Sequence, residues 1–233
     1  ARSVITKSLH HDERKSKDDT VGWQCTLLIL FIYFQLLPAS MPLYEPDVKT
    51  KKATFFGCAP GVIHTRVGYT GGTKKFPTYH SLGDHTETVD IDYDPAQTSY
   101  EKLLTMFWKN HDTTSCKSRQ YMSAIFFHDD EQKDLAEQSM VDQQRSKSKT
   151  IQTKILPAET FYDAENYHQK YLLRQHPSLF NSLRLGDEDL IKSHIAARLN
   201  GYIGGYGQMH QFARESKKMG LSEEQTEYVV DNV

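Results

Sequence analysis

Cysteine is scarce in this sequence, which has only three cysteines in 233 residues. Cys25, Cys58 and Cys116 are too few and too widely spaced for a disulfide framework. None of them has the C-x-x-C spacing of a zinc site or a thioredoxin-like motif. The scarcity therefore favours a reducing compartment, and we expect a cytoplasmic protein.

A strong excess of charge of either sign is also lacking. Lys and Arg total 28 against 30 for Asp and Glu, which gives a formal net charge of -2. This balance gives no reason to expect nucleic acid as a partner. The length allows one sizeable hydrophobic core, so we expect one main domain with extensions.

Long hydrophobic runs are almost absent, and the exception is the uncharged segment 21–37. Its strongly apolar part, residues 25–37, has about 13 residues and is shorter than the ~20 that a membrane-spanning helix needs. The segment is compatible with a signal-peptide core or a membrane anchor, with a buried strand or helix, or with sequence upstream of a true start at Met41. Membrane contact through 21–37 is not the favoured interpretation, but it stays open.

The hydrophobic pattern divides the chain into three parts. Residues 1–48 form an N-terminal extension, whose charged stretch 1–19 is predicted to be disordered. Residues 49–180 have the pattern of a globular domain, and residues 181–233 are expected to form a helical C-terminal extension. Strands interleaved with helices predict an α/β or two-layer α+β fold. The predicted strands are 53–56, 62–69, 86–93, 121–127 and 151–156, and the predicted helices are 99–110, 129–146, 163–175, 190–199 and 221–232.

Cys58 is the candidate nucleophile that the local sequence offers. It follows a predicted strand and lies in the glycine-flanked turn 57–61, where backbone amides could stabilise a thiolate. A small buried hydrophobic side chain is the competing interpretation, because most free cysteines are buried in this way.

Glu87 is a candidate acid because of its position in a predicted strand. The period of two places its side chain on the same face as Val89, Ile91 and Tyr93, which face the core. A carboxyl group there is costly unless it is paired or kept protonated as a general acid. The alternative is that the strand starts later and leaves Glu87 in a solvated loop.

Two tyrosines and one histidine complete the set of candidates. Tyr79 and Tyr121 could donate hydrogen bonds to a polarised oxygen, although packing is the simpler role for either one alone. Glu165 and His168 form a Glu-x-x-His pair, which can hold iron when a second copy is present. The sequence contains no second copy, so we expect no metal site here.

Several segments together resemble the methionine sulfoxide reductase A family. The matching stretches follow in the family's order between residues 52 and 177. They are Thr65-Arg66-Val67-Gly68-Tyr69-Thr70-Gly71-Gly72, Pro77-Thr78-Tyr79, His85-Thr86-Glu87, Tyr93-Asp94-Pro95, Phe107-Trp108-Lys109-Asn110-His111-Asp112, Gln120-Tyr121-Met122-Ser123-Ala124-Ile125 and Phe161-Tyr162-Asp163-Ala164-Glu165-Asn166-Tyr167-His168-Gln169.

The resemblance implies a fold and a reaction. The fold is a mixed sheet with flanking helices and a ferredoxin-like core. In the reaction a cysteine thiolate attacks the sulfur of S-methionine sulfoxide in a protein, and the resulting sulfenic acid is reduced by thioredoxin or another thiol, with no cofactor. By the match of motifs, Glu87 corresponds to the family's acid, and Tyr79 and Tyr121 correspond to the tyrosines that bind the sulfoxide oxygen.

The chain departs from the family where the nucleophile belongs. The family signature is Gly-Cys-Phe-Trp-Gly followed by a helix, whereas Cys58 is followed by Ala59-Pro60-Gly61. In a second alignment, residues 56–62 correspond to the segment after that helix, and roughly ten residues including the nucleophile are missing. A parallel crossover needs about a dozen residues or more, which 57–61 cannot supply. The alternative to a working reductase is therefore a disabled member that at most binds methionine-containing partners.

Cys116 is the remaining candidate thiol of the matched region. It lies near the place of a family aspartate, and no cysteine follows it to serve as a resolving residue. The resemblance therefore implies that an external thiol, or Cys116 as a possible resolving thiol, reduces the sulfenic acid.

Overall fold

The computed structural model describes residues 2–6 and 53–233. Within these ranges six strands form one mixed sheet in the order β5-β4-β1-β3-β2-β6. The strands are β1 (Arg2–Thr6), β2 (Val62–Thr70), β3 (Thr86–Tyr93), β4 (Ala124–Phe127), β5 (Lys154–Pro157) and β6 (Tyr162–Asp163).

The central part of this sheet has the ferredoxin-like order. β1 pairs antiparallel with β3 and with β4, and β2 pairs antiparallel with β3 along its whole length. Among the described strands, only β4 and β5 pair in parallel. The neighbours β4-β1-β3-β2 are the four strands of a split βαβ arrangement, so the predicted α/β fold with a mixed sheet is confirmed.

The first two long helices cover one face of the sheet. Helix α1 (Tyr100–Lys109) begins at the side-chain cap of Ser99, and α2 (Asp130–Arg145) begins at the cap of Asp129. Such caps satisfy backbone N–H groups of the first helical turn. The main core lies between these helices and the inward residues of the sheet, among them Val89, Ile91 and Ile125.

The N-terminal strand was not expected from the sequence. The charged stretch 1–19 predicts disorder, yet Arg2–Thr6 occupy the slot between β3 and β4. The predicted strand 53–56 is wrong, because Ala53–Phe56 form a 3-10 helix followed by successive turns up to Val62.

The predicted helix 163–175 is also wrong. Its first residue, Asp163, ends β6, Asn166–His168 form a 3-10 helix, and only Tyr171–Arg174 (α3) are α-helical. The side-chain amide of Gln169 is the physical reason, because it bonds both the N–H and the C=O of Val67 as a third strand would. Lys170 then takes a left-handed conformation, with φ of 50°, which interrupts a continuous helix.

The C-terminal helices pack into a second hydrophobic cluster that also contains Cys58. Their bounds are α4 (Pro177–Ser182), α5 (Asp187–Lys192), α6 (His194–Ile203), α7 (Met209–Glu215) and α8 (Glu223–Asp231). The predicted helix 190–199 is thus two helices, separated at Ser193, whose side chain caps α6.

Helix α6 and the residue before α3 attach these helices to the sheet. The buried Lys170 donates from Nζ to the carbonyl oxygens of Thr65 in β2, at 2.5 Å, and of Ile191 in α5, at 3.2 Å. Among the described residues no helix is long and apolar enough to cross a membrane. The segment 21–37 lies outside those residues.

Candidate active site

Glu87 is the second residue of β3 and lies half-buried near the end of the sheet. Its cross-strand partner is Tyr69 of β2, so both side chains belong to the face that carries Val89 and Ile91. The side-chain amide of Gln120 donates to Glu87 Oε1 at 2.7 Å. Strand β3 therefore begins early enough to hold Glu87, and the alternative of a solvated loop is wrong.

A second carboxylate, Glu165, holds two tyrosines beside Glu87. The Tyr69 hydroxyl donates to Glu165 Oε2 at 2.7 Å, and the Tyr79 N–H donates to Oε1 at 2.9 Å. Burial alone would raise the pKa of Glu165, but these hydrogen bonds outweigh it and lower the pKa below its ordinary value. Burial and the bond to Glu165 raise the pKa of Tyr69, so its hydroxyl keeps its proton as a donor.

The Tyr79 side chain packs against other aromatic rings. Its ring packs with Tyr69 and Tyr162 in one cluster and lies 5.0 Å from the ring of His168. Tyr121 ends the 3-10 helix Arg119–Tyr121, directly after the Gln120 that donates to Glu87. The structure thus brings Glu87, Tyr79 and Tyr121 to the same end of the sheet.

Cys58 is buried and belongs to a different part of the molecule. Its side chain is 2 % exposed and its sulfur lies 3.7 Å from the Phe55 carbonyl oxygen. Burial raises the pKa of the Cys58 thiol to about 11, an effect that the positive charge of Arg198 only partly offsets. A thiol with this pKa is about one part in ten thousand thiolate at pH 7, the opposite of an activated nucleophile.

Cys58 and Glu87 lie at opposite ends of the sheet. The turn of Cys58 leads into Val62 at the start of β2, and the Gly61 carbonyl accepts from Asp94 just beyond β3. Glu87 lies opposite Tyr69, seven residues further along β2. Seven residues of extended strand span about 23 Å. The structure therefore does not bring the predicted nucleophile to the predicted acid.

Cys116 lies at the same end of the sheet as Glu87. It is exposed, in the loop between α1 and the 3-10 helix that ends at Tyr121. The Thr86 hydroxyl donates to the Arg119 carbonyl oxygen at 3.0 Å, which joins this 3-10 helix to the start of β3. Cys116 lies four positions before Gln120 in the chain, a length of at most about 14 Å.

Glu165 and His168 do not form part of a larger ligand set. The His168 Nε2 atom lies 3.9 Å from Glu165 Oε2. In residues 2–6 and 53–233 no group of three or more His, Cys, Asp or Glu side chains is arranged to hold a metal ion.

The fold and this cluster define a ferredoxin-like α/β protein with a half-buried glutamate and several neighbouring tyrosines at one end of its sheet. Residues 52–199 match the family model for peptide methionine sulfoxide reductase. Residues 184–233 match the helical domain of selenoprotein methionine sulfoxide reductase A. The chain belongs to the peptide methionine sulfoxide reductase family, as the sequence motifs predicted.

Two relatives agree with this assignment by sequence. The chain is 40 % identical over 240 residues to a peptide methionine sulfoxide reductase of Drosophila melanogaster, covering 97 % of this chain and 93 % of that protein. It is 39 % identical to peptide methionine sulfoxide reductase A5 of Arabidopsis thaliana, over 68 % of this chain and 70 % of that protein. Among solved structures, methionine sulfoxide reductase A of Corynebacterium diphtheriae is 30 % identical, with a TM-score of 0.46 over 54 % of this chain and 69 % of the other.

Sequence reasoning missed the part that Glu165, Tyr69 and Gln120 play in the site. Glu165 was placed on a helix face, whereas it precedes a 3-10 helix and reaches across to β2. A signal for Tyr69 was present, because it alternates with Val67 in the predicted strand 62–69 and therefore lies on the same face as Val67. Gln120 adjoins the predicted site residue Tyr121 but shows no local pattern of its own.

Proposed function

We propose that this chain reduces the S-epimer of methionine sulfoxide in peptides and proteins to methionine, with thiols as the reductant. Membership of the family supports the reaction. The observation that carries the proposal is the position of Glu87, half-buried on the tyrosine-lined face and bonded by the Gln120 amide. A carboxyl group in such a place can hand a proton to a developing charge.

The chemistry balances as a two-electron transfer. A cysteine thiolate attacks the sulfoxide sulfur, the S–O bond breaks, and the oxygen passes to the cysteine as a sulfenic acid. The sulfoxide is reduced to the thioether, and the thiol is oxidised by two electrons. One external thiol then forms a mixed disulfide and releases water, and a second thiol restores the cysteine. Thioredoxin is the proposed physiological donor, in a reducing compartment.

Each site residue has a proposed role. Glu87 protonates the sulfoxide oxygen as the S–O bond weakens, while Tyr79 and Tyr121 donate hydrogen bonds to that oxygen. Glu165 is a positioning residue, because it holds the Tyr79 backbone and the Tyr69 hydroxyl. Donors arranged in advance around a developing negative charge lower the barrier without reorganising during the reaction.

The attacking thiol has two candidates among the described residues. Cys58 would have to leave the cluster beneath α6 and travel to the end of the sheet where Glu87 lies. Cys116 starts at that end and is exposed, so as attacking thiol it would need no such displacement. Its role as resolving thiol requires the sulfenic acid to form on another cysteine. Substituting each cysteine separately distinguishes these cases.

The test is turnover of a peptide carrying S-methionine sulfoxide, with dithiothreitol as reductant. Glu87→Gln keeps the shape and the partner Gln120 but cannot donate a carboxylic proton. We expect it to lower kcat by about 100-fold or more, the usual contribution of a general acid. Glu137→Gln, on the exposed side of α2, is the matched control and should leave kcat unchanged.

The same assay assigns the thiol. Of the two variants Cys58→Ser and Cys116→Ser, the one that removes the attacking thiol should abolish turnover with either reductant. A variant that loses only thioredoxin-driven turnover would identify a resolving thiol. If the wild-type chain shows no turnover under conditions where it is folded and binds the peptide, reduction by this chain is contradicted. Binding without turnover would then be its function.

A further inference from the structure

Phe76 is the most exposed large hydrophobic side chain in the described part of the chain, at 81 % of its maximum. Its backbone is left-handed, with φ of 51°. A bulky residue rarely takes this conformation, because its Cβ crowds the neighbouring carbonyl oxygen. Such strain persists only where the surroundings impose it, and it concentrates at functional sites.

The surroundings of Phe76 do impose it. Before Phe76, the Asp84 carboxylate accepts from the Thr73 N–H at 2.8 Å and from the Lys74 N–H at 3.2 Å. After it, Thr78 and Ser81 form a β-bridge that closes the loop. The hydrogen bonds from Thr73 and Lys74 lower the pKa of Asp84 to about 2, so the carboxylate stays ionised and keeps these bonds at neutral pH. Phe76 is therefore presented to solvent by a loop that is pinned on both sides.

His85 ties the same loop to the start of β3. Its Nδ1 accepts from the Gly72 N–H at 3.2 Å, so Nε2 carries the proton and donates to the Lys74 carbonyl oxygen at 2.6 Å. Two residues later along β3 comes Glu87. His85 thus connects the loop of Phe76 to the strand that carries the candidate acid Glu87.

A line of rings connects Phe76 with Glu87. The Phe76 ring lies 6.2 Å from the Tyr162 ring, edge to face. Tyr162 pairs across the sheet with Tyr69, which pairs with Glu87. Two strand spacings amount to about 10 Å, and the step from Tyr162 to the Phe76 ring adds at most 6.2 Å. Because a peptide advances about 3.5 Å per residue, a substrate bound at Glu87 could lay a nearby residue on the Phe76 ring.

We propose that Phe76 is a specificity-determining residue that contacts an apolar side chain within about four residues of the methionine sulfoxide. The inference rests on the proposed function and specifies its substrate as an extended peptide with a neighbouring hydrophobic residue. A rigid exposed ring loses little conformational entropy when it is covered, so a single contact contributes measurably to affinity.

The test compares peptide binding to the full chain. Two fluorescein-labelled peptides carry methionine sulfone, which resembles the sulfoxide but is not turned over. One peptide has leucine on both sides within four residues, and the other has serine there. We expect Phe76→Asn to raise Kd about tenfold for the leucine peptide and less than twofold for the serine peptide. Asparagine tolerates positive φ, so the loop keeps its conformation.

Two control variants separate the ring from general effects. Phe76→Trp keeps an aromatic side chain and should retain most of the affinity for the leucine peptide. Val230→Asn removes an exposed apolar side chain from α8 and should change neither Kd. An equal loss for both peptides, or no loss for either, would overturn the proposal. A dimer that Phe76→Asn dissociates would also overturn it, because the ring would then cover a second copy of this chain.

Turnover of the corresponding sulfoxide peptides tests the proposed function separately. Absence of turnover with ring-dependent binding would contradict reduction and support the peptide contact. Turnover of both peptides at rates independent of Phe76 would contradict the contact alone.

Discussion

The two ends of the sheet differ in the chemistry that they allow. At one end the acid Glu87 is half-buried, hydrogen-bonded by Gln120 and bordered by tyrosines. At the other end Cys58 lies beneath α6, where a Cβ added to Gly201 would be 2.8 Å from its sulfur. The first end is arranged around polar groups that can act on a ligand, and the second is packed as closely as a protein core.

This difference shows that a cysteine in a glycine-flanked turn is not by itself an activated nucleophile. The turn of Cys58 is held by hydrogen bonds from the helical extension: Arg198 donates to the Ala59 carbonyl oxygen at 2.6 Å, and Gln211 donates to that of Cys58 at 3.3 Å. No helix begins at this turn to lower the pKa of the thiol through its dipole. The helical extension therefore uses the turn as a packing surface.

The largest effect should come from Arg198→Met, which destabilises the packed end of the sheet, where Cys58 lies beneath α6. Arg198 is 2 % exposed and donates a hydrogen bond to the Glu215 carboxylate. Burial alone would raise the pKa of Glu215, but hydrogen bonds from Gln211, Tyr202 and Arg198 lower it below its ordinary value. Removing one partner of such a pair leaves a charge without compensation, so we expect a loss of about 3–5 kcal/mol in the free energy of unfolding, measured with urea.

The control for this substitution is Arg145→Met, which removes an ion pair with Asp142 on the surface of α2. Both of its side chains are more than half exposed, and we expect a loss of at most about 0.5 kcal/mol. Equal effects of the two substitutions would mean that the Arg198 cluster does not hold the packed end together.

A smaller effect compares the two thiols directly. In a Cys25→Ser background, iodoacetamide at pH 8 should modify Cys116 at least about 100-fold faster than Cys58, because Cys58 is buried and its thiol has a pKa of about 11. Peptide mapping by mass spectrometry measures both rates. The rates should converge in urea, and similar rates in the folded protein would show that the turn of Cys58 opens readily.

The smallest effect concerns Lys170, which attaches the helical extension to β2 between the two ends of the sheet. Burial lowers the pKa of Lys170 from 10.5 to about 7. Between these values the unfolded chain binds more protons than the folded one, so the free energy of unfolding should rise with pH by up to about 1.4 kcal/mol per unit. Lys170→Met should remove this rise, as shown by urea titrations at pH 7, 8 and 9.

Lys154→Met is the matched control, because Lys154 is an exposed lysine of β5. This variant should keep the dependence of the free energy of unfolding on pH that the wild-type protein shows. A slope that is the same in all three proteins would show that Lys170 titrates normally and that its Nζ is hydrated.

The regular elements could be predicted because their signals are local. Strand β3 alternates polar and apolar residues from Thr88 to Tyr93, and its predicted bounds, 86–93, are those observed. The predicted helices begin at Ser99 and Asp129, and in the structure these two residues cap α1 and α2. Glu87 followed from the same alternation, since a period of two places every second side chain on one face.

The family and the α/β fold were therefore determined by the sequence alone, through motifs and periodicities that act over a few residues. Only the tertiary structure decided that Arg2–Thr6 fill the central slot, that Glu165 reaches Tyr69 and that Cys58 is buried at the far end from Glu87. Each of these depends on a partner far away in the chain. Burial, hydrogen bonding and the pKa of a thiol are properties of such contacts, and no local pattern encodes them.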